Sequence, residues 1–213
     1  KWLIVNFKIN RLPNIHIVDR YFQAVSMLGV QNDQKGLEFH IPEEEAVSVA
    51  DLPATHRNGF LAFAIGGKHQ TKMLPQEKII SICRQIDKPV ILLGGNDDHA
   101  SGVKIQKALG EKAFNACGLY NIKQSASILS QAEKVISNDT GLMHIAAAFN
   151  KPIISVWGNT IPEFGMYPYM PLHPERSTII EVKGLACRPS SKIGYRKCPR
   201  KHFSCMEAIA EEE

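Results

Sequence analysis

The sequence predicts an α/β domain built on a doubly wound parallel sheet. Short apolar runs alternate with helical patterns through the middle of the chain, about five times over. The strands are apolar without interruption rather than at every second residue, and two of them stop at a glycine pair. Strands that are apolar on both faces are covered by helices on both faces, which is the arrangement of a parallel sheet.

Residues 59–67 (GFLAFAIGG) read as a strand ending in Gly66-Gly67. Residues 75–86 (PQEKIISICRQI) read as a helix, with Pro at its start and Ile79, Ile82, Cys83 and Ile86 at helical spacing. Residues 88–95 (KPVILLGG) form a buried strand stopped by Gly94-Gly95, and residues 97–110 a helix closed by Gly110. A short strand (AFNACG), a helix over 121–132, a strand (KVISND), a helix (TGLMHIAAAF) and a strand (KPIISVWG) complete the core. Before it, residues 1–10 (KWLIVNFKIN) read as a strand or strand pair. Residues 14–30 read as an amphipathic helix ending at Gly29, and the acidic stretch 42–53 as a linker. After it, residues 184–213 read as a Cys- and Lys/Arg-rich loop with a short closing helix. The expected units are therefore 1–53, 54–183 and 184–213.

Composition narrows the function classes. The 213 residues are 44% hydrophobic and 22% charged, which excludes a disordered chain, a collagen-like chain and a coiled-coil rod. No stretch approaches the ~20 apolar residues that span a bilayer. A net charge of +4 suits anionic small ligands or an anionic membrane surface and does not argue for nucleic acid. Five cysteines do not read as a secreted disulfide framework, and no signal peptide is visible, so a cytoplasmic setting is expected. The first residue is Lys1, not Met, so the chain is expected to be a piece of something longer.

In open α/β sheets ligands bind beyond the carboxyl ends of the strands, near helix N-termini. The strongest candidate there is Val135–Thr160. A strand ends at Asn138-Asp139 and a helix begins at Thr140-Gly141, with Asp139 expected as its N-cap. Gly141 in the first turn weakens the helix, a cost accepted where a ligand must approach the backbone. Leu142, Ile145, Ala146 and Phe149 are expected to form the buried stripe, and His144 to lie beside the exposed amides. Such a helix start is a competent phosphate or diphosphate site. On spacing alone, Asp139 reads equally as a mere cap and His144 as a half-buried core histidine.

The run SNDTGLMHIAAAFNKPIISVWGNT closely resembles the signature of glycosyltransferase family 9, the ADP-heptose–lipopolysaccharide heptosyltransferases and their relatives. The residues that carry the resemblance are Asp139, Thr140, Gly141, His144, Ala147, Ala148, Lys151, Pro152, Gly158 and Thr160. Upstream of this run the 14–30 helix, Lys72 with Pro75, and VILLGGNDD also fit the family in order. The resemblance implies a GT-B architecture of two Rossmann-like domains with a cleft between them, of which this chain is the C-terminal half plus a remnant of the first domain. It implies an inverting, metal-independent transferase with no cofactor. The enzyme would move a sugar, heptose among the candidates, from a nucleotide-diphosphate donor (an ADP-sugar favoured) to a lipopolysaccharide-type acceptor at the inner membrane face. The family's catalytic base, an Asp in an early glycine-rich loop, has no counterpart here. Lys72, Asp139, Thr140, Gly141 and His144 are then expected to hold the donor's phosphates and sugar. Lys72 also reads as a solvated surface lysine. Gly66, Gly67, Gly94, Gly95 and Thr160 are expected at the nucleotide pocket, Pro162 at its rim, and Asp97 or Asp98 at a ribose hydroxyl or as a helix cap.

Cys187, Cys198, His202 and Cys205 offer soft ligands, but their spacing is not that of paired zinc ligands, and plain thiols are expected. Trp2, Trp157, Tyr167 and Tyr169 read as packing residues. Two other readings remain open: a stand-alone nucleotide- or phosphate-binding module, and another GT-B enzyme such as a sugar-nucleotide epimerase. The Asp-Thr-Gly-x-x-His run weighs against the latter.

Overall fold

The computed structural model describes residues 1–210; the final Glu211, Glu212 and Glu213, expected in the closing helix, lie outside the described residues. Six parallel strands form one sheet: β1 (Leu61–Ala64), β2 (Val90–Leu93), β3 (Ala113–Asn115), β4 (Lys134–Asn138), β5 (Ile153–Trp157) and β6 (Ser177–Glu181). Their order is β3-β2-β1-β4-β5-β6. Four helices connect successive strands: α3 (Gln76–Gln85), α4 (His99–Leu109), α5 (Ile122–Gln131) and α6 (Gly141–Ala148). The apolar residues of the strands divide between two cores. Ala62, Ile91, Leu93, Val135, Ile153 and Trp157 meet α5 and α6 on one face. Phe63, Val90, Leu92, Ile136, Val156 and Ile180 meet α3 and α4 on the other.

Several expectations are corrected. KWLIVNFKIN is not strand: Trp2–Phe7 forms a short helix, α1, ended by Lys8 in the left-handed conformation. Its Ile4 packs on Ile161 and Phe164, and this tertiary contact overrides the β-propensity of Ile4 and Val5. Trp2 is not a packing residue; it is 67% exposed. The strand β6 was not foreseen. It is an edge strand with only Ile180 buried, so it shows no continuous apolar run. In α6 the buried residues are Met143, Ile145, Ala146 and Ala147, while Leu142 and Phe149 sit at the core margin.

Residues 17–28 are helical as expected: α2 (Ile17–Val25) continues into a 3-10 turn closed by Gly29 at φ +73°. The His16 ring caps α2 by accepting from the Val18 amide at 3.2 Å, and its Nε2 donates to the Tyr167 carbonyl at 2.8 Å. The acidic stretch lies against α5, where the Val47 amide donates to Ser127 Oγ and Leu52 is buried.

Burial holds His16, His56 and His144 below their ordinary value. A base depressed in the folded state binds fewer protons folded than unfolded. Its stabilising contribution is complete above the unfolded value of about 6.5 and falls as pH drops through the folded value. The urea midpoint is therefore expected to decrease between about pH 7 and about pH 5. Asp98, raised by burial, acts with the opposite sign nearer the carboxylate range. A midpoint that rises over that interval would contradict the assignment.

Candidate functional site

The chain runs outward from β1 to β3 on one side and from β4 to β6 on the other. The order reverses between β1 and β4, and a crevice opens beyond their carboxyl ends. Buried Asn138, the last residue of β4, ties the two ends together. Its Nδ2 donates to the Ile65 carbonyl at 3.0 Å, and its Oδ1 accepts from the Leu74 amide at 3.2 Å.

A pocket of about 620 Å³ fills this crevice. Gly66, Gly67 and Lys68 line it after β1, Gly94 to Asp98 after β2, Tyr120 from the β3–α5 connection, Ile122 and Ser125 from α5, and Thr140, Gly141 and Leu142 from the start of α6. Eight of the residues singled out in the sequence thus share one wall system: Gly66, Gly67, Gly94, Gly95, Asp97, Asp98, Thr140 and Gly141. The N-cap of α6 is Thr140, not Asp139, and the Thr140 side chain makes no capping hydrogen bond. A Cβ placed on Gly141 would meet nothing within 4 Å. Protein packing therefore does not require glycine there, and the helix start, with its partial positive charge, faces open space.

Asp139 is displaced from the cap by two partners. Its Oδ2 accepts from Lys72 Nζ at 2.6 Å and from Thr160 Oγ1 at 2.9 Å. The Lys72 and Asp139 side chains are 16% and 7% exposed, so Lys72 is not a solvated surface lysine. Lys72, Asp139 and Thr160 thus form a linked cluster directly behind Thr140. Thr160 is buried in that cluster and does not line the pocket. His144 is half-buried one turn further along α6. Burial lowers its pKa most, the Asp139 carboxylate opposes this, and His16 and Lys72 add to it. The ring is therefore held toward its neutral form, as a hydrogen-bonding rather than a cationic group.

The glycine pairs have an internal reason as well. Asp98 accepts from the Gly95 amide at 2.9 Å, and its carboxylate occupies the space that a side chain on Gly66 or Gly94 would need. Asp98 is thus committed to the turn before α4, whereas Asp97 is exposed at the pocket. The sequence reasoning missed Lys68, Asn96, Tyr120, Ile122, Ser125 and Leu142 as pocket residues. The rule that ligands lie beyond strand ends pointed to the β3–α5 connection, but no motif there marked a residue.

In the tail, Cys187 and Cys198 are half-buried, Cys205 is buried, and His202 is exposed and bonded to Ser204. All five cysteines are free thiols. Burial pushes Cys205 up to about 11 and Cys83 and Cys117 up to about 12. Among the described residues, no three His, Cys, Asp or Glu side chains gather where they would hold a metal ion.

Known proteins share this fold. The chain is 35% identical over 97 residues to lipooligosaccharide heptosyltransferase 2 of Haemophilus influenzae, covering 44% of this chain and 27% of that protein. It is 24% identical over 164 residues to lipopolysaccharide heptosyltransferase 2 of Salmonella typhimurium, covering 70% and 47%. The chain thus spans half or less of the length of these relatives. A solved structure of an E. coli heptosyltransferase, WaaC with ADP, superposes with a TM-score of 0.58 at 20% identity, covering 82% of this chain and 52% of that one. The family description "Glycosyltransferase family 9 (heptosyltransferase)" matches residues 1–196, and the chain belongs to that family.

Proposed function

We propose that this chain is the donor-binding half of a glycosyltransferase that moves heptose from an ADP-linked donor to a lipopolysaccharide-type acceptor. The observation that carries this reading is the uncapped start of α6 at the mouth of the 620 Å³ pocket. Inverting transfer builds negative charge on the departing diphosphate, and fixed donors aimed at that charge lower the barrier. The amides of Gly141 and Leu142 and the α6 dipole supply such donors, and Lys72 supplies a point charge beside them. The nucleoside then extends across the glycine floor toward Asn96, Asp97 and Tyr120. Neutral His144 donates to phosphate or sugar. No residue of this chain is assigned as the base.

A cytoplasmic location at the inner face of the membrane fits such an acceptor, and the net charge of +4 suits an anionic surface. Among the described residues, no helix is long and apolar enough to cross a membrane.

Calorimetric titration with ADP, UDP and GDP tests the reading. ADP is expected to bind most tightly. Lys72→Ala is expected to weaken it about tenfold, the loss of one charge-assisted contact to phosphate. Failure of the unaltered chain to bind any of the three nucleotides would overturn the donor-site assignment.

A further inference from the structure

The segment after β6 crosses the functional edge of the sheet and is stitched to both halves of the Lys72–Asp139–Thr160 cluster. Arg188 is its most heavily bonded residue. Nε donates to the Gly158 carbonyl at 2.5 Å, Nη1 to the Val182 carbonyl at 2.6 Å, and Nη2 to the Thr160 carbonyl at 2.9 Å. Nη2 also pairs with Glu181 at 2.7 Å, and the two side chains are 6% and 13% exposed. Further along, the Ser190 amide donates to the Asn159 carbonyl at 3.0 Å, and Asn159 Nδ2 donates to Ser191 Oγ at 2.8 Å. The Tyr195 amide donates to Thr71 Oγ1 at 2.8 Å, next to Lys72 in the chain.

Every residue of the 158–160 turn is therefore fixed by this segment. The turn reaches the cluster through the Thr160 hydroxyl, which donates to Asp139, and runs beside Lys72 through the Asn159 amide, which donates to the Thr71 carbonyl at 3.3 Å. Asp139 in turn holds Lys72. A planar guanidinium serves three carbonyls and a carboxylate at once, a geometry that neither lysine nor glutamine reproduces.

We propose that Arg188 is a positioning residue of the diphosphate site, acting through Thr160 and Asp139 to set Lys72 beside the start of α6. This rests on the donor-site reading above. Among the residues of this argument only Gly141 lines the pocket; Lys72 stands behind its wall, paired to Asp139, and Arg188 lies one link further back.

The test is a set of ADP titrations by calorimetry on Arg188→Gln, Thr160→Val and each of these combined with Lys72→Ala. Arg188→Gln is expected to raise the ADP dissociation constant about tenfold, and to raise it no further once Lys72 is gone. A purely structural arginine would lower the melting temperature yet leave ADP affinity unchanged, or would weaken binding equally with and without Lys72. Either result overturns the proposal. Arg188→Gln strands Glu181 and is at risk of not folding. Thr160→Val breaks the same link without that risk, and an unchanged ADP affinity there also overturns the proposal. Absence of ADP binding in the unaltered chain is a different outcome, which removes the donor-site reading and this inference together.

Discussion

Gly141→Val is expected to weaken ADP binding about a hundredfold while leaving the fold intact. The two effects separate because a side chain at this position meets open space in the protein, with nothing within 4 Å of the new Cβ. Valine is also a better helix former than glycine, so α6 loses nothing locally. The added methyl groups instead stand where a diphosphate would reach the amides of Gly141 and Leu142. Two charge-assisted hydrogen bonds of about 1.5 kcal/mol each account for a factor of about one hundred. Calorimetry reads the affinity, and thermal unfolding reads the fold. Unchanged affinity would mean that the phosphates do not sit at this helix start.

Trp157→Ala is expected to cost about 3–5 kcal/mol of folding stability, the largest single effect in the core. Trp157 is fully buried at the end of β5, and its indole Nε1 donates to Ser155 Oγ at 3.0 Å. Truncation leaves a cavity between the sheet and α6 and removes one of the two partners of the buried Ser155 hydroxyl, which still donates to the Thr178 carbonyl. It also withdraws support from the residues that follow directly, Gly158 to Thr160. Urea unfolding followed by circular dichroism measures the loss. A cost below about 1 kcal/mol would show that the neighbouring side chains refill the space.

The strands β1 to β5 and helices α3 to α6 were legible because each carries its own local signal: an apolar run, a helical period, a proline or glycine at an end. The pocket walls were legible for a related reason. Gly66-Gly67, Gly94-Gly95 and Thr140-Gly141 all follow strands directly, and a parallel sheet brings such points to one edge. What escaped depends on partners distant in the chain. Asp139 has the sequence of a helix cap, yet Lys72 and Thr160 claim its carboxylate from far along the chain on either side. Arg188 lies in the 184–213 stretch, which reads as a Cys- and Lys/Arg-rich loop, yet its side chain is buried among carbonyls of the 158–160 turn. The helix α1 and strand β6 depend on the tertiary surface each lies against, which no local pattern encodes.

The graded burial of the thiols has a practical chemical consequence. Cys83, Cys117 and Cys205 hold almost no thiolate near neutral pH, since burial places them at about 12, 12 and 11. Alkylating reagents are left with Cys187 and Cys198, which are only half-buried. These two bracket the segment that Arg188 anchors. A fluorophore or spin label attached without any engineered cysteine would therefore sit at the two borders of that segment.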